Sequence, residues 1–328
     1  MGSDPLTRHK AGIATRGGSD HSSFETRVAA ASRALVLGIG GGGDAVGSIA
    51  VARALEERGL ETVLGGVAWE RIVVDPHPGP RGLDDIRGGR ALDGAVIVVP
   101  SEGATTPEGV HFCESRLALH LGVETVLIDV TGGTHGAARG IDSACAELRC
   151  DLAVLVDIGG DAIADGSEPG LASPLCDAVM LSAGATCDVP VIAGVLGAGC
   201  DGELQPSEVL ARVAALARAG AWLDTLGTSM AAAEIEAAGA VAVTEASLLV
   251  ARAARGESGP VEIRGGRRTV SLGPVAALAF IFDLEAALPE LPLTRAVTNA
   301  ASIEAARDAL NELGISTELD YEERRAAG

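Results

Sequence analysis

ALVLGIGGGGDAVGS, residues 34–48, passes from an unbroken aliphatic run through four consecutive glycines into an aspartate and a second alanine-rich stretch. A run such as Ala34–Leu37 with no polar alternation predicts a strand buried on both faces, as in a parallel sheet covered by helices. Gly40, Gly41, Gly42 and Gly43 lack β-carbons, so their amides can approach a bound group closely. Asp44 then has two readings. It is a helix N-cap accepting first-turn amides, or a carboxylate facing the same crevice as the glycines. Residues 38–43 also match G-x-G-x-x-G between a strand and a helix, the dinucleotide fingerprint. Two features weaken that match. The acid expected about 20 residues on, at the tip of the second strand, is absent, because that strand ends in Gly65-Gly66-Val67. The charge of Asp44 also opposes a pyrophosphate.

Working outward, strand, glycine-rich loop and helix alternate several times. Strands are predicted at 34–39, 62–67, 95–99, 125–129, 152–157 and 190–196, with helices near 45–58, 108–121, 136–149 and 174–185. From Gln205 the character changes to alanine-rich helical stretches at 206–225, 229–238 and 246–255. A hairpin follows around Gly265-Gly266, then helices near 275–288 and 302–313. The fold class implied is α/β: a doubly wound, mostly parallel Rossmann-like sheet with a C-terminal helical cap and a small hairpin. The expected organisation is a disordered leader over 1–30, a core over 31–204, and a cap with hairpin over 205–328 packed on the core.

Composition narrows the function. Forty-five acidic residues against 25 basic ones give a formal charge of −20, which repels nucleic-acid backbones and anionic membranes. The leader has no apolar stretch of the signal-peptide kind. No apolar run reaches the roughly 20 residues needed to cross a bilayer. A cytoplasmic protein with a small-molecule partner is the expectation, and homo-oligomerisation is left open. The six cysteines include no C-x-x-C pair, so they read as small buried hydrophobes rather than redox or zinc ligands. No G-x-S-x-G, Walker lysine or H-E-x-x-H occurs, which argues against α/β hydrolases, P-loop NTPases and zincin-type proteases.

In open α/β sheets ligands bind beyond the carboxyl ends of the strands, so the loops at that edge are read together. They supply Asp44; Asp75, His77 and Arg81 in a proline-stiffened loop; Ser101 and Glu102; Asp129 with Thr131, Gly132 and Gly133; Asp157, Gly159, Gly160 and Asp161; and Glu168. Taken singly, each aspartate reads as a turn or helix cap. Four carboxylates within about 6 Å would repel by roughly 3 kcal/mol per pair at an effective dielectric near 20. A hard cation such as Mg²⁺, protonation, or a hydroxyl-rich or cationic ligand must offset that. The expected roles are acid–base work for Asp44, Asp161 and His77, with His135 the other candidate base. Asp129 and Asp157 are the expected cation ligands. The glycines, Asp75, Arg81, Ser101, Glu102, the Thr131-Gly132-Gly133 amides and Glu168 fall to the ligand.

Gly38-x-Gly40-Gly41-Gly42-Gly43-Asp44 with Gly47, Glu70-Arg71, Asp75-Pro76, Pro78-Gly79-Pro80-Arg81, Asp157-x-Gly159-Gly160-Asp161, Gly166-x-Glu168 and Ser173-Pro174-x-x-Asp177 together resemble the domain-of-unknown-function family 1152. That family is a group of archaeal and some bacterial proteins, and the likeness runs over roughly residues 33–285. The resemblance implies one site architecture and an intracellular setting, and supplies no reaction.

The leading expectation is an enzyme acting on a phosphorylated or polyhydroxylated metabolite or nucleotide, with metal-assisted phosphoryl transfer the first reaction to test. The alternatives are a metabolite sensor of the same fold and, more weakly, an NAD(P)-dependent oxidoreductase.

Overall fold

A computed structural model describes residues 23–327. Its strands are β1 (Arg33–Gly38), β2 (Glu61–Val67), β3 (Arg90–Ala91), β4 (Ala95–Val98), β5 (Thr125–Ile128), β6 (Leu152–Ile158), β7 (Val191–Leu196), β8 (Trp222–Gly227), β9 (Gly259–Ile263), β10 (Arg268–Leu272) and β11 (Leu278–Asp283). Nine form one sheet in the order β3-β4-β5-β2-β1-β6-β7-β11-β8, and β9 and β10 pair separately. The five central strands, β5 through β7, are mutually parallel. Strands β3 and β4 on one side and β11 and β8 on the other run antiparallel to their neighbours.

The aliphatic runs explain why the sheet is covered twice. Successive side chains of a strand point to opposite faces. Leu35, Leu37, Ala153, Leu155, Ala193 and Val195 pack into one core with the helices Gly133–Leu148 and Pro174–Gly184. Ala34, Val36, Leu152, Val154, Val156 and Ile192 pack into the other with the helix Asp44–Glu56. The crossover from β1 to β2 therefore lies on the opposite face from the one joining β5 to β6. That is the doubly wound arrangement expected. The chain leaves β1 in one direction along the sheet and returns to add β6 on its other side, so the crevice of such folds opens between the carboxyl ends of β1 and β6.

Two departures from the sequence reading have clear causes. Phe24–Ala30 is a helix capped by Ser23, with Phe24 and Val28 buried and Arg27 paired with Asp283. The expected disorder therefore does not extend over 24–30, while residues 1–22 lie outside the described ones. Trp222–Gly227 and Leu278–Asp283, expected as parts of helices, are strands. Alanine-rich neighbours lend both segments helical spacing, but β11 finds β7 and β8 on either side, and that pairing overrides local propensity. The C-terminal segment thus extends the sheet as well as packing helices on it. The hairpin is present as expected. Five cysteines are buried, Cys187 is half-buried, and all six are free thiols. Among the described residues no helix is long and apolar enough to cross a membrane.

Candidate functional site

The residues at the β1–β6 crevice are carboxylates. Gly43 occupies the cap position of the helix Asp44–Glu56 without a side-chain bond, so Asp44 is the first helical residue and not an N-cap. Asp44 Oδ2 accepts from the N–H of Gly40 at 3.0 Å and from that of Ile158 at 3.3 Å. One carboxylate thereby ties the loop after β1 to the end of β6. Asp157, the penultimate residue of β6, accepts from the N–H of Gly160 at 2.9 Å. Asp177 enters from the first turn of the helix Pro174–Gly184. It is 1% exposed, and its Oδ1 has no hydrogen-bond partner. Ligand atoms of Asp44, Asp157 and Asp177 lie within 4.8 Å of one another. A β-carbon on Gly40 would sit 2.6 Å from Asp44 Oδ2 and 3.4 Å from Asp177 Oδ2, so the glycine leaves room for the Asp44 carboxylate beside Asp177.

A second trio, Asp161, Asp201 and Glu203, meets the same 4.8 Å criterion and is wholly buried. Asp161 opens a short 3-10 turn after β6, and Asp201 and Glu203 follow β7. Both oxygens of Asp201 are without partners at 7% exposure. Glu203 accepts from the N–H groups of Ala172 and Ser173 at 2.7 and 2.9 Å and from the Ser173 hydroxyl at 2.6 Å, and it pairs with Arg268 at 3.2 Å. Gly159 (φ +143°) holds a conformation that side chains rarely adopt, and a β-carbon there would fall 2.4 Å from the Asp201 carboxyl carbon.

Burial pushes the Asp44 carboxyl up to about 7, against lowering by the Gly40 amide, Arg71, the Ile158 amide and Arg264. It pushes Asp201 to about 8, with the Glu203 charge adding and Arg268 opposing. Asp157, Asp161 and Asp177 are all driven well above the usual carboxylate range, first by burial and then by the neighbouring carboxylates. At 4.8 Å each ionised pair repels by about 3 kcal/mol at an effective dielectric near 20. Against six carboxylates stand Arg71, Arg264 and Arg268, so a full set of charges requires an added cation or bound protons. The donor set is all oxygen, which suits Mg²⁺, Mn²⁺ or Ca²⁺. Cys176 adds no soft ligand, because burial keeps its thiol protonated.

Three elements frame this centre, and of them the sequence reading names Arg71, as a possible counter-charge, and the loop ending at Asp201, but not the last helix. Glu318, on the helix Glu318–Ala326, accepts from the N–H groups of Leu175 and Cys176 at 3.0 and 2.9 Å and so caps the helix that carries Asp177. Glu322 accepts from Trp69 Nε1 at 3.0 Å. Arg71 donates to the Gly40 carbonyl, stacks on Trp69 and lies 3.7 Å from Glu318. Asp201 and Glu203 stand in Gly197-Ala198-Gly199-Cys200-Asp201-Gly202-Glu203, directly after a strand. The strand-end rule marks them as readily as it marks Asp157. For Glu318 no local signal exists, since it arrives from the last helix of the chain.

Of the other candidate residues, the glycine loop is occupied by its own chain. The Gly42 N–H donates to the Trp69 carbonyl at 2.9 Å, and the Gly43 carbonyl accepts from the Ser247 hydroxyl. Asp75 and Arg81 pair with each other through two hydrogen bonds of 2.8 and 2.9 Å. His77 is exposed, with its ring 3.7 Å from Glu108. Ser101 and Glu102 are exposed on a turn, and His135 is exposed as well. Glu168 accepts from the N–H groups of Asp165 and Gly166 within its own loop. Asp129 spends its oxygens on the N–H of Leu83 and on the N–H and hydroxyl of Thr131. Gly133 donates to the Val130 carbonyl and packs on Ala300, and the Thr131 N–H goes to Asp129, so two of the three amides in Thr131-Gly132-Gly133 are taken up within the protein. Asp44, Asp157 and Asp161, with Gly40, Gly159 and Gly160, are the expected residues that the fold assembles here.

No curated protein and no solved structure matches this sequence. The family model described as "Protein of unknown function (DUF1152)" matches residues 35–326, and the chain belongs to that family.

Proposed function

We propose that the protein is a divalent-cation-dependent enzyme acting on a phosphorylated metabolite, with phosphoryl transfer as its reaction. The observation that carries this reading is the trio Asp44–Asp157–Asp177 at the β1–β6 crevice, Asp157 and Asp177 buried and Asp44 half-buried, with Asp177 Oδ1 unpartnered. A buried carboxylate oxygen without a donor costs free energy that a bound cation recovers. Asp157 and Asp177 are the deeper members and would hold the ion. When bound, it would neutralise phosphate charge as that charge redistributes. Asp44, the less buried member of the trio, is placed to take the proton of an attacking hydroxyl. The hydroxyl oxygen forms the new bond to phosphorus, the bond to the leaving oxygen breaks, and the proton passes to the Asp44 carboxylate.

The test is thermal unfolding of the full chain at fixed pH, with and without millimolar Mg²⁺ or Mn²⁺. It is followed by a screen of phosphorylated metabolites for Mg²⁺-dependent turnover. An ion present at 100 times its dissociation constant stabilises the native state by about 3 kcal/mol. Wild type should gain a stabilisation of that order, and Asp177→Asn should lose it. Absence of any shift in wild type overturns the reading. A shift without turnover of any phosphorylated compound favours the sensor alternative.

A further inference from the structure

The β9–β10 hairpin is fixed against the second carboxylate trio and lies beside the glycine loop, and its turn is built from Arg264-Gly265-Gly266-Arg267 followed by Arg268. Arg268 donates to the Asp201 carbonyl at 3.2 Å and pairs with Glu203 at 3.2 Å, which fixes the hairpin against the second trio. Arg264 occupies the left-handed region (φ 55°), and its N–H donates to both carboxylate oxygens of Glu245 at 3.1 and 3.0 Å. Next to Glu245, Thr244 lies against Gly43, so the turn is anchored beside the glycine loop. The positive charge of Arg264 is felt at Asp44. Arg267 Nε donates to the Arg264 carbonyl at 2.9 Å.

Facing the turn is the helix Glu318–Ala326, whose Glu318 already belongs to the frame of the centre. Its Tyr321 hydroxyl accepts from Arg325 at 3.3 Å, and the charge of Arg267 helps that bond to lower the Tyr321 hydroxyl from its usual range. Among the described residues neither Arg267 nor Arg325 has a carboxylate partner, and Arg264 has Glu245 3.9 Å from its Nε, although the chain has 45 acids against 25 bases. The guanidinium groups of Arg264, Arg267 and Arg325 thus stand exposed on the hairpin turn and on the helix that faces it. Guanidinium forks match phosphate oxygens in geometry and charge. A phosphate held between such forks and a cation is neutralised from both sides.

We propose that Arg264 and Arg267, flanked by Tyr321 and Arg325, form a clamp that takes the phosphate or diphosphate group of the substrate on the outer side of the carboxylate centre. The proposal rests on the reading of that centre as a cation site, and it assigns the hairpin the task of recognising the anionic end of the substrate.

The test is calorimetric titration of the full chain with inorganic pyrophosphate in the presence of Mg²⁺, comparing wild type with an Arg264→Asn/Arg267→Gln double variant. Asparagine tolerates the left-handed conformation at 264, which preserves the turn. The clamp predicts pyrophosphate binding in wild type and at least tenfold weaker binding in the double variant, with a Mg²⁺-induced thermal shift still present in both. Arg325→Gln, at an exposed end of a helix, should weaken binding by a smaller factor. Equal pyrophosphate affinity in wild type and double variant overturns the clamp, as does a wild type that is stabilised by Mg²⁺ yet does not bind pyrophosphate. A wild type with no Mg²⁺ shift instead fails at the earlier step: the cation reading falls, and the clamp with it.

Discussion

Glu70 is buried beside the N–H of Cys113, and burial pushes its carboxyl from the usual 4.5 up to about 7. Below pH 4.5 the folded and unfolded chains both carry the proton and burial of the acid costs little. Between 4.5 and about 7 the unfolded chain releases its proton first, so stability falls as pH rises, and above 7 the full cost of about 3 kcal/mol is present. Glu70→Gln keeps the acceptor for Cys113 and removes the charge. Urea unfolding should therefore find the variant more stable than wild type at pH 8, with the difference closing toward pH 4.5. A variant destabilised equally at both pH values would contradict the assignment. At this scale Asp44, Asp157 and Asp161 were legible because each stands just beyond an aliphatic run. Asp75, Arg81, Asp129 and Glu168 have the same sequence signature, yet they satisfy one another or their own loops. Which carboxylate finds a local donor is a matter of loop conformation, and composition does not encode it.

At the scale of elements, the glycine loop shows how a motif can be read correctly for shape and incompletely for use. A β-carbon on Gly43 would meet Thr244 at 2.2 Å, whereas one on Gly136, within the helix Gly133–Leu148, would meet nothing within 4 Å. Gly43→Ala should therefore destabilise the fold by about 1–3 kcal/mol through overpacking. Gly136→Ala should stabilise it by roughly 0.5–1 kcal/mol by lowering the conformational entropy of the unfolded chain. Denaturant midpoints measured side by side check both signs, and a neutral Gly43→Ala would show that Thr244 does not press on the loop. The central strands were legible because burial on both faces leaves an unmixed aliphatic signature. Strands β8 and β11 were not, because antiparallel additions near the sheet edge depend on partners more than 30 residues away. The hairpin was legible from Gly265-Gly266. Its place over the carboxylates was not, since a turn motif specifies its own geometry and not the surface it lands on.

For the whole molecule, the charge of −20 and the buried carboxylates describe one electrostatic problem at two depths. The surface charge is solvated and costs little per residue. Five of the six carboxylates are buried and Asp44 is half-buried, so their charge must be met largely inside, and the strand-end loops of the doubly wound sheet deliver them as two neighbouring trios. The last helix, reaching back with Glu318, completes a centre whose other parts span residues 40–203. Such a closure brings together residues more than 140 apart in sequence and is invisible to any local window. The central claim is that this interior charge is met by a divalent ion, and the most direct measurement is anomalous X-ray scattering from crystals grown with Mn²⁺. The account predicts a manganese peak enclosed by Asp44, Asp157 and Asp177, absent in crystals of Asp177→Asn. Well-ordered carboxylates with no anomalous density between them, at manganese concentrations in the millimolar range, would contradict it.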